Sequence, residues 1–196
     1  MYIFTSESEN IDWTKEPDIN EYRQLFELSN SDPKAALPGL EKLAARGSVA
    51  SMLHLASGYM RGIPENRRDY AKRWYSLASN KEHQGATMVY GRLCLDDKEY
   101  NAAKTAFEKV AKLGDPTALY MLGSMRLKGL GDAPSKEQGV ALLTQSSVLG
   151  SSFATRDLVI LMLSGKLGLA GWLKGFAMLI RLVAQTIGSL QSTERK

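Results

Sequence analysis

The residues best able to bind a metal or attack a substrate are two histidines, His54 and His83, and a single cysteine, Cys94. They are too few and too scattered to do so. A structural zinc site needs about four ligands at close spacing, and no thiol or carboxylate motif accompanies either histidine. Each histidine reads as a surface or core residue. The run Gly129-Leu130-Gly131-Asp132 has the glycines of a phosphate loop. It follows a helical segment rather than a strand, however, and no Lys-Ser/Thr pair comes after it. A nucleophile elbow, an HExxH pair and a dinucleotide fingerprint are all lacking. We therefore expect no catalytic residue, no metal and no cofactor.

A chain of 196 residues suits one domain, or one array with appendages. One cysteine allows no internal disulfide, which fits a reducing compartment. The first residues show neither a basic n-region nor an apolar h-region of useful length, so a secretory signal is not expected and the cytoplasm is the default. Net charge is +4, unevenly spread. Residues 1–32 hold eight acids and two cations, a net −6, which leaves +10 on the rest. That acidic arm is either a solvated leader or a segment lying in the body's own basic groove. Trp13, Tyr22, Leu25 and Phe26 favour partial docking, and Pro17 and Asn30 bracket a helix over 17–30. The cations are dispersed and match no nucleic-acid motif, so nucleic acid is not an expected partner.

The elements that carry these residues repeat. A Gly-x-x-x-small-x-x-x-apolar-small pattern opens at Gly47, Glu82, Gly114 and Gly150, at intervals of 35, 32 and 36 residues. A period in the thirties with helical content marks stacked helix pairs. The spacing predicts helices over 48–61 and 67–80, 84–96 and 98–113, 116–128 and 135–149, then 151–164 and about 172–190. Residues 32–47 read as a second helix that lacks a partner of its own unless 17–30 supply one. Ser135 is the expected N-cap of its helix. Ala56, Gly91 and Gly123 sit mid-helix, where Gly costs about 1 kcal/mol relative to Ala. The sequence tolerates that where helices approach closely. Trp74-Tyr75, Ala106-Phe107 and Leu142-Leu143 supply the facing bulk. Domain organisation follows: an acidic arm with one helix over 1–31, an array over 32–168, and an apolar C-terminal helix with a short polar tail over 169–196.

These residues resemble the Sel-one-like repeat family, relatives of the tetratricopeptide repeats. Repeat one matches its pattern at Gly47, Leu55, Tyr59, Gly62, Ala71, Trp74, Tyr75 and Ala78. Repeat three matches at Gly114, Ala118, Leu122, Gly123 and Gly129, and repeat four at Gly150, Ala154, Leu158 and Gly165. Repeat two departs, with Asp97 where Gly62 and Gly129 stand, and repeats three and four lose the Trp-Tyr pair. The resemblance covers about residues 32–186. It implies an all-α fold: a right-handed α-α superhelix, or solenoid, of about four helix-turn-helix repeats. It also implies a non-catalytic adaptor, most often bacterial, that assembles other proteins.

The resemblance places a partner groove on the first helices of the pairs. Register then assigns Arg61 in repeat one, Met88 and Arg92 in repeat two, Tyr120 and Lys128 in repeat three, and Phe153 and Arg156 in repeat four. Ser57, Met60, Leu95, Ser124, Leu127 and Ile160 fall beside them. Each repeat thus offers one cation next to apolar groups, which suits an extended peptide with acidic side chains. The last helix forms a second anomaly. From Leu158 to Leu190 the only charges are Lys166, Lys174 and Arg181. Trp172, Phe176, Leu179, Leu182 and Val183 leave it only a narrow polar stripe, whereas the terminal helix of an array needs a polar outer face. It folds back on the body, pairs with another subunit or protein partner, or lies on a membrane surface as a basic amphipathic helix peripheral to the inner membrane.

Overall fold

A computed structural model describes residues 11–62 and 67–165, together with Leu173, Phe176 and Ala177. After a 3-10 turn at Trp13–Lys15, the described chain is helical: α1 Ile19–Ser31, α2 Pro33–Ala45, α3 Val49–Met60, α4 Arg68–Asn80, α5 Gln84–Asp96, α6 Tyr100–Ala111, α7 Pro116–Lys128, α8 Lys136–Val148 and α9 Ser152–Leu163. Each helix expected up to residue 164 is present, with ends within about two residues of the sequence reading. The expected helix over 172–190 lies largely outside the described residues; Leu173, Phe176 and Ala177 within it are helical.

The pattern that opens each repeat is a stop signal fused to a start signal. Gly47, Glu82, Gly114 and Gly150 all have positive φ, between +63° and +100°. A left-handed residue ends the preceding helix and lets its last carbonyls find donors. At Gly47, for example, the Ser48 N–H donates to Leu43 O at 3.2 Å and the Gly47 N–H to Ala44 O at 2.9 Å. The next residue then caps the following helix. Ser48 accepts from Ser51 N, His83 Nδ1 from Ala86 N, Asp115 from Ala118 N and Ser151 from Ala154 N. Ser135 caps α8 as expected, accepting from Gln138 N.

Repeat two corrects the sequence reading. Asp97 was aligned with the loop glycines, but it has φ −79°, and the left-handed residue is Lys98, at φ +63°. The left-handed residue comes one position later after the N-cap of α5 than after those of α3, α7 and α9.

The chain divides into two compact units, Met1–Val110 and Ala111–Lys196. In unit 1 the core gathers Leu40, Leu55, Tyr59 and Tyr75, with Tyr22, Leu25 and Trp74 packed against it. A Cβ added to Gly91 would lie 2.7 Å from the Phe107 ring, which confirms small-against-large packing between α5 and α6. Gly39 of α2 plays the same part against Leu25 of α1. The described part of the acidic arm is thus no free leader: α1 packs on α2 as a helix pair does. In unit 2, α7 and α8 meet at Gly123 and Gly139. A Cβ on either would come within 3.2 Å of the other's carbonyl oxygen. Leu143, Ala154 and Leu158 form the core there.

Candidate functional site

The two histidines and the cysteine serve the fold. Cys94 is fully buried, and His83 is buried as the cap of α5. His54, half-buried on α3, lies 2.9 Å from Ser29 Oγ of α1 and meets the Tyr22 and Phe26 rings edge-on. Burial, helped by the neighbouring Arg61 cation, lowers its pKa to about 4. No three His, Cys, Asp or Glu side chains converge on a metal position among the described residues.

Several of the arm's described acids are also committed. Ser48 Oγ donates to Glu16 Oε2 at 2.5 Å, and the Ala50 N–H donates to Glu16 Oε1 at 3.0 Å. The carboxylate thereby sits on the positive end of the α3 dipole. Arg46 pairs with Glu21 at 2.6 Å and lies 3.9 Å from Asp18. Burial, with the Glu16 charge nearby, pushes the Tyr22 hydroxyl up to about 12.

Several cations are tied as well. Arg68 and Lys72 of α4 reach Asp96, Asp97 and Glu99, with Lys72–Asp97 at 2.7 Å and Lys72–Glu99 at 2.8 Å. Desolvation works against the Lys72 ammonium, but the hydrogen bonds it donates to Asp97 and Glu99 outweigh it and raise its pKa.

The groove residues divide in the same way. Arg61, at the C-terminus of α3, and Arg92, on α5, are exposed, and no described acid pairs with either. Met88 is half-buried one turn before Arg92. Lys128, the last residue of α7, is exposed and also unpaired among the described residues. Arg156 breaks the expected ladder of free cations. Its Nη2 and Nε lie 2.7 Å and 2.8 Å from Asp157 Oδ1, and Tyr120 donates to Asp157 Oδ2 at 3.0 Å. Burial and the Asp157 charge raise the Tyr120 pKa. Phe153 is 58% exposed and lies 6.0 Å from the Tyr120 ring, with the Arg156 guanidinium 5.6 Å from its own. The four side chains thus form one cluster with its charges offset. Leu127, assigned beside the groove, packs into the unit 2 core instead, against Gly139. Asp157 was missed because i,i+1 neighbours on a helix do not ordinarily face one another. The long Arg156 side chain folds back to reach it.

Of the C-terminal surface residues, Phe176 is helical and exposed. Trp172, Leu179, Leu182 and Val183 lie outside the described residues. Among the described residues no helix is long and apolar enough to cross a membrane.

No family model matches the chain. Two solved structures superpose on about three quarters of it. A Sel1 repeat protein from Oxalobacter formigenes matches 73% of this chain and 64% of its own, at TM-score 0.64 and 21% identity. The c5321 protein, a protective antigen present in uropathogenic Escherichia coli strains displaying an SLR fold, matches 74% of this chain and 33% of its own, at TM-score 0.61 and 23% identity. The chain has the Sel1-like repeat fold. The described helices fit four to five such repeats. By sequence, a 95-residue stretch is 35% identical to the ERAD-associated E3 ubiquitin-protein ligase component HRD3B of Arabidopsis thaliana, covering 47% of this chain and 15% of that protein. The chain thus spans under two thirds of each of these relatives.

Proposed function

We propose that the chain is a non-catalytic adaptor that binds a protein partner through the first-helix face of unit 1, with acidic side chains of the partner meeting Arg61 and Arg92. One observation carries this reading. These two guanidiniums stay exposed and unpaired among the described residues, as Arg23 and Arg73 do, but only Arg61 and Arg92 fall in the groove register; Arg46, Arg68 and Lys72 of the same unit are matched to acids. Arginine offers planar, two-pronged recognition of carboxylates. Met88 beside Arg92 adds an adaptable apolar contact. Unit 2, taken by itself, exposes one such cation in Lys128. A buried lone cysteine suits work in the cytoplasm.

The test is an array of acidic peptides probed with the wild-type chain and with the Arg61→Glu/Arg92→Glu double variant. Hydrogen bonds to charged groups contribute about 1.5–3 kcal/mol each, so binding should weaken tenfold or more and fall with added salt. Equal binding by both proteins would refute the reading.

A further inference from the structure

Most of the acids in residues 1–32 have work in the fold. Glu16, Asp18 and Glu21 hold the α2–α3 junction, Asp12 pairs with Lys15 at 3.0 Å, and Asp32 caps α2. Glu27 is carried on α1. That leaves Glu7 and Glu9, which belong to residues 1–10, outside the described part of the chain. The place where those residues join the fold is described. Ile11 packs against the unit 1 core, and the Trp13 ring lies 6.0 Å from that of Tyr22. Tyr22 in turn meets His54 of α3 at 6.3 Å. Arg61 follows His54 by seven positions, so it stands on the same stripe of α3, two turns or ~10 Å further on. Its charge acts on that imidazole. Residues 1–10 therefore join the fold at one end of the stripe that carries Arg61. Glu7 precedes Trp13 by six residues, an extended reach of ~20 Å, which is enough to bring it to that guanidinium.

We infer that residues 1–10 occupy the Arg61/Arg92 face in the free chain, with Glu7 and Glu9 standing in for the acidic side chains of a partner; this rests on the reading of that face as a partner site. The charges select this occupant. Two unpaired guanidiniums call for carboxylates. The other terminal segment, residues 166–196, holds five cations against one acid, and such a face repels it. A second copy set two-fold on this face would bring the same arginines against each other. A foreign acidic segment must arrive from solution, whereas residues 1–10 are tethered beside the face at an effective concentration of about millimolar. The apolar run Met1-Tyr2-Ile3-Phe4 also suits the adaptable side chains of Met60 and Met88. The segment is thus a built-in competitor. A partner gains the face by displacing it, and a weak acidic ligand is turned away.

The test uses the full chain. Cys94 is buried, so Ser8→Cys/Met60→Cys adds one thiol on the segment and one beside Arg61 for a short bismaleimide to join. We expect a link within one chain, read as a single added linker in the intact mass. It should be lost with Glu7→Lys/Glu9→Lys and with Arg61→Glu/Arg92→Glu, and return when the two reversals are combined. Circular dichroism melts matching wild type would show that the variants fold. A link formed equally in all four proteins, or in none, would overturn the inference and leave the partner reading standing. The second readout is competition. Glu7→Gln/Glu9→Gln, with no added thiols, should bind a poly-glutamate peptide about tenfold more tightly than wild type. Equal, measurable affinity would overturn the inference. Absence of peptide binding by both proteins would count against the partner reading alone, and the linker would still decide whether the segment occupies the face.

Discussion

His54 bridges two helices, and its protonation state matters to the fold. Its ring is held neutral between α1 and α3, with a folded pKa of about 4 against roughly 6.5 for an unfolded histidine. The folded value is the lower one, so between these limits the unfolded chain binds more protons. The contribution to stability is complete above pH ~6.5 and is lost as pH falls toward ~4, at no more than about 1.4 kcal/mol per unit. Urea unfolding at pH ~7 and ~4.5 should show a loss in wild type exceeding that in His54→Gln by about 2 kcal/mol. Equal losses would place the acid sensitivity elsewhere. The sequence presented His54 as one of two isolated imidazoles; its contacts with Ser29, Tyr22 and Phe26 come from a helix some 25 positions away and leave no local pattern.

At the scale of the element, the junctions carry the specificity. Gly47, Gly114 and Gly150 adopt the left-handed conformation freely, but Glu82 and Lys98 carry a Cβ there, at φ +63°. The left-handed region costs an L-residue roughly 1–2 kcal/mol, so Lys98→Gly and Glu82→Gly should each raise stability, by up to ~1 kcal/mol once the extra chain entropy of glycine is deducted. Chemical denaturation checks this, and a loss on either change would mean that the side chain makes a stronger contact than the backbone strain. The helices themselves were legible in the sequence because apolar spacing and turn glycines report on backbone geometry directly. Gly91 and Gly123 were legible for the same reason, since glycine inside a helix needs a cause. Lys98 was not, because delaying the left-handed residue by one position changes the register without changing the composition. His83 was not legible as a cap because imidazole rarely takes that role, and its Nδ1 reveals itself only by accepting from Ala86.

At the scale of the molecule, the −6/+10 charge division has a partly structural cause. Glu16, Asp18 and Glu21 are used on Ser48, Ala50 and Arg46, where α2 ends and α3 begins. Glu16→Ala should therefore destabilise the chain by about 1–2 kcal/mol, as the loss of a helix cap does. It should leave binding of acidic peptides through Arg61 and Arg92 unchanged. A thermal melt paired with the peptide array would show both, and tighter peptide binding by the variant would reveal the arm as a competitor for that face. Which cations stay unpaired was only partly legible. Arg61 and Arg92 could be placed by register, whereas the freedom of a cation depends on every acid within reach, and Asp157 lay next in the chain to the arginine it neutralises.

A stop and a start fused into two adjacent residues have a genealogical consequence. Gly114-Asp115 and Gly150-Ser151 each end one helix and open the next within two residues, and Gly47-Ser48 does the same with Glu16 added at the α3 N-terminus. A duplicated segment of about one repeat, spliced in at such a pair, would bring its own punctuation with it. Lengthening or shortening the array is then a matter of copying or deleting DNA in phase, and descendants with different numbers of repeats need no new turns to be invented.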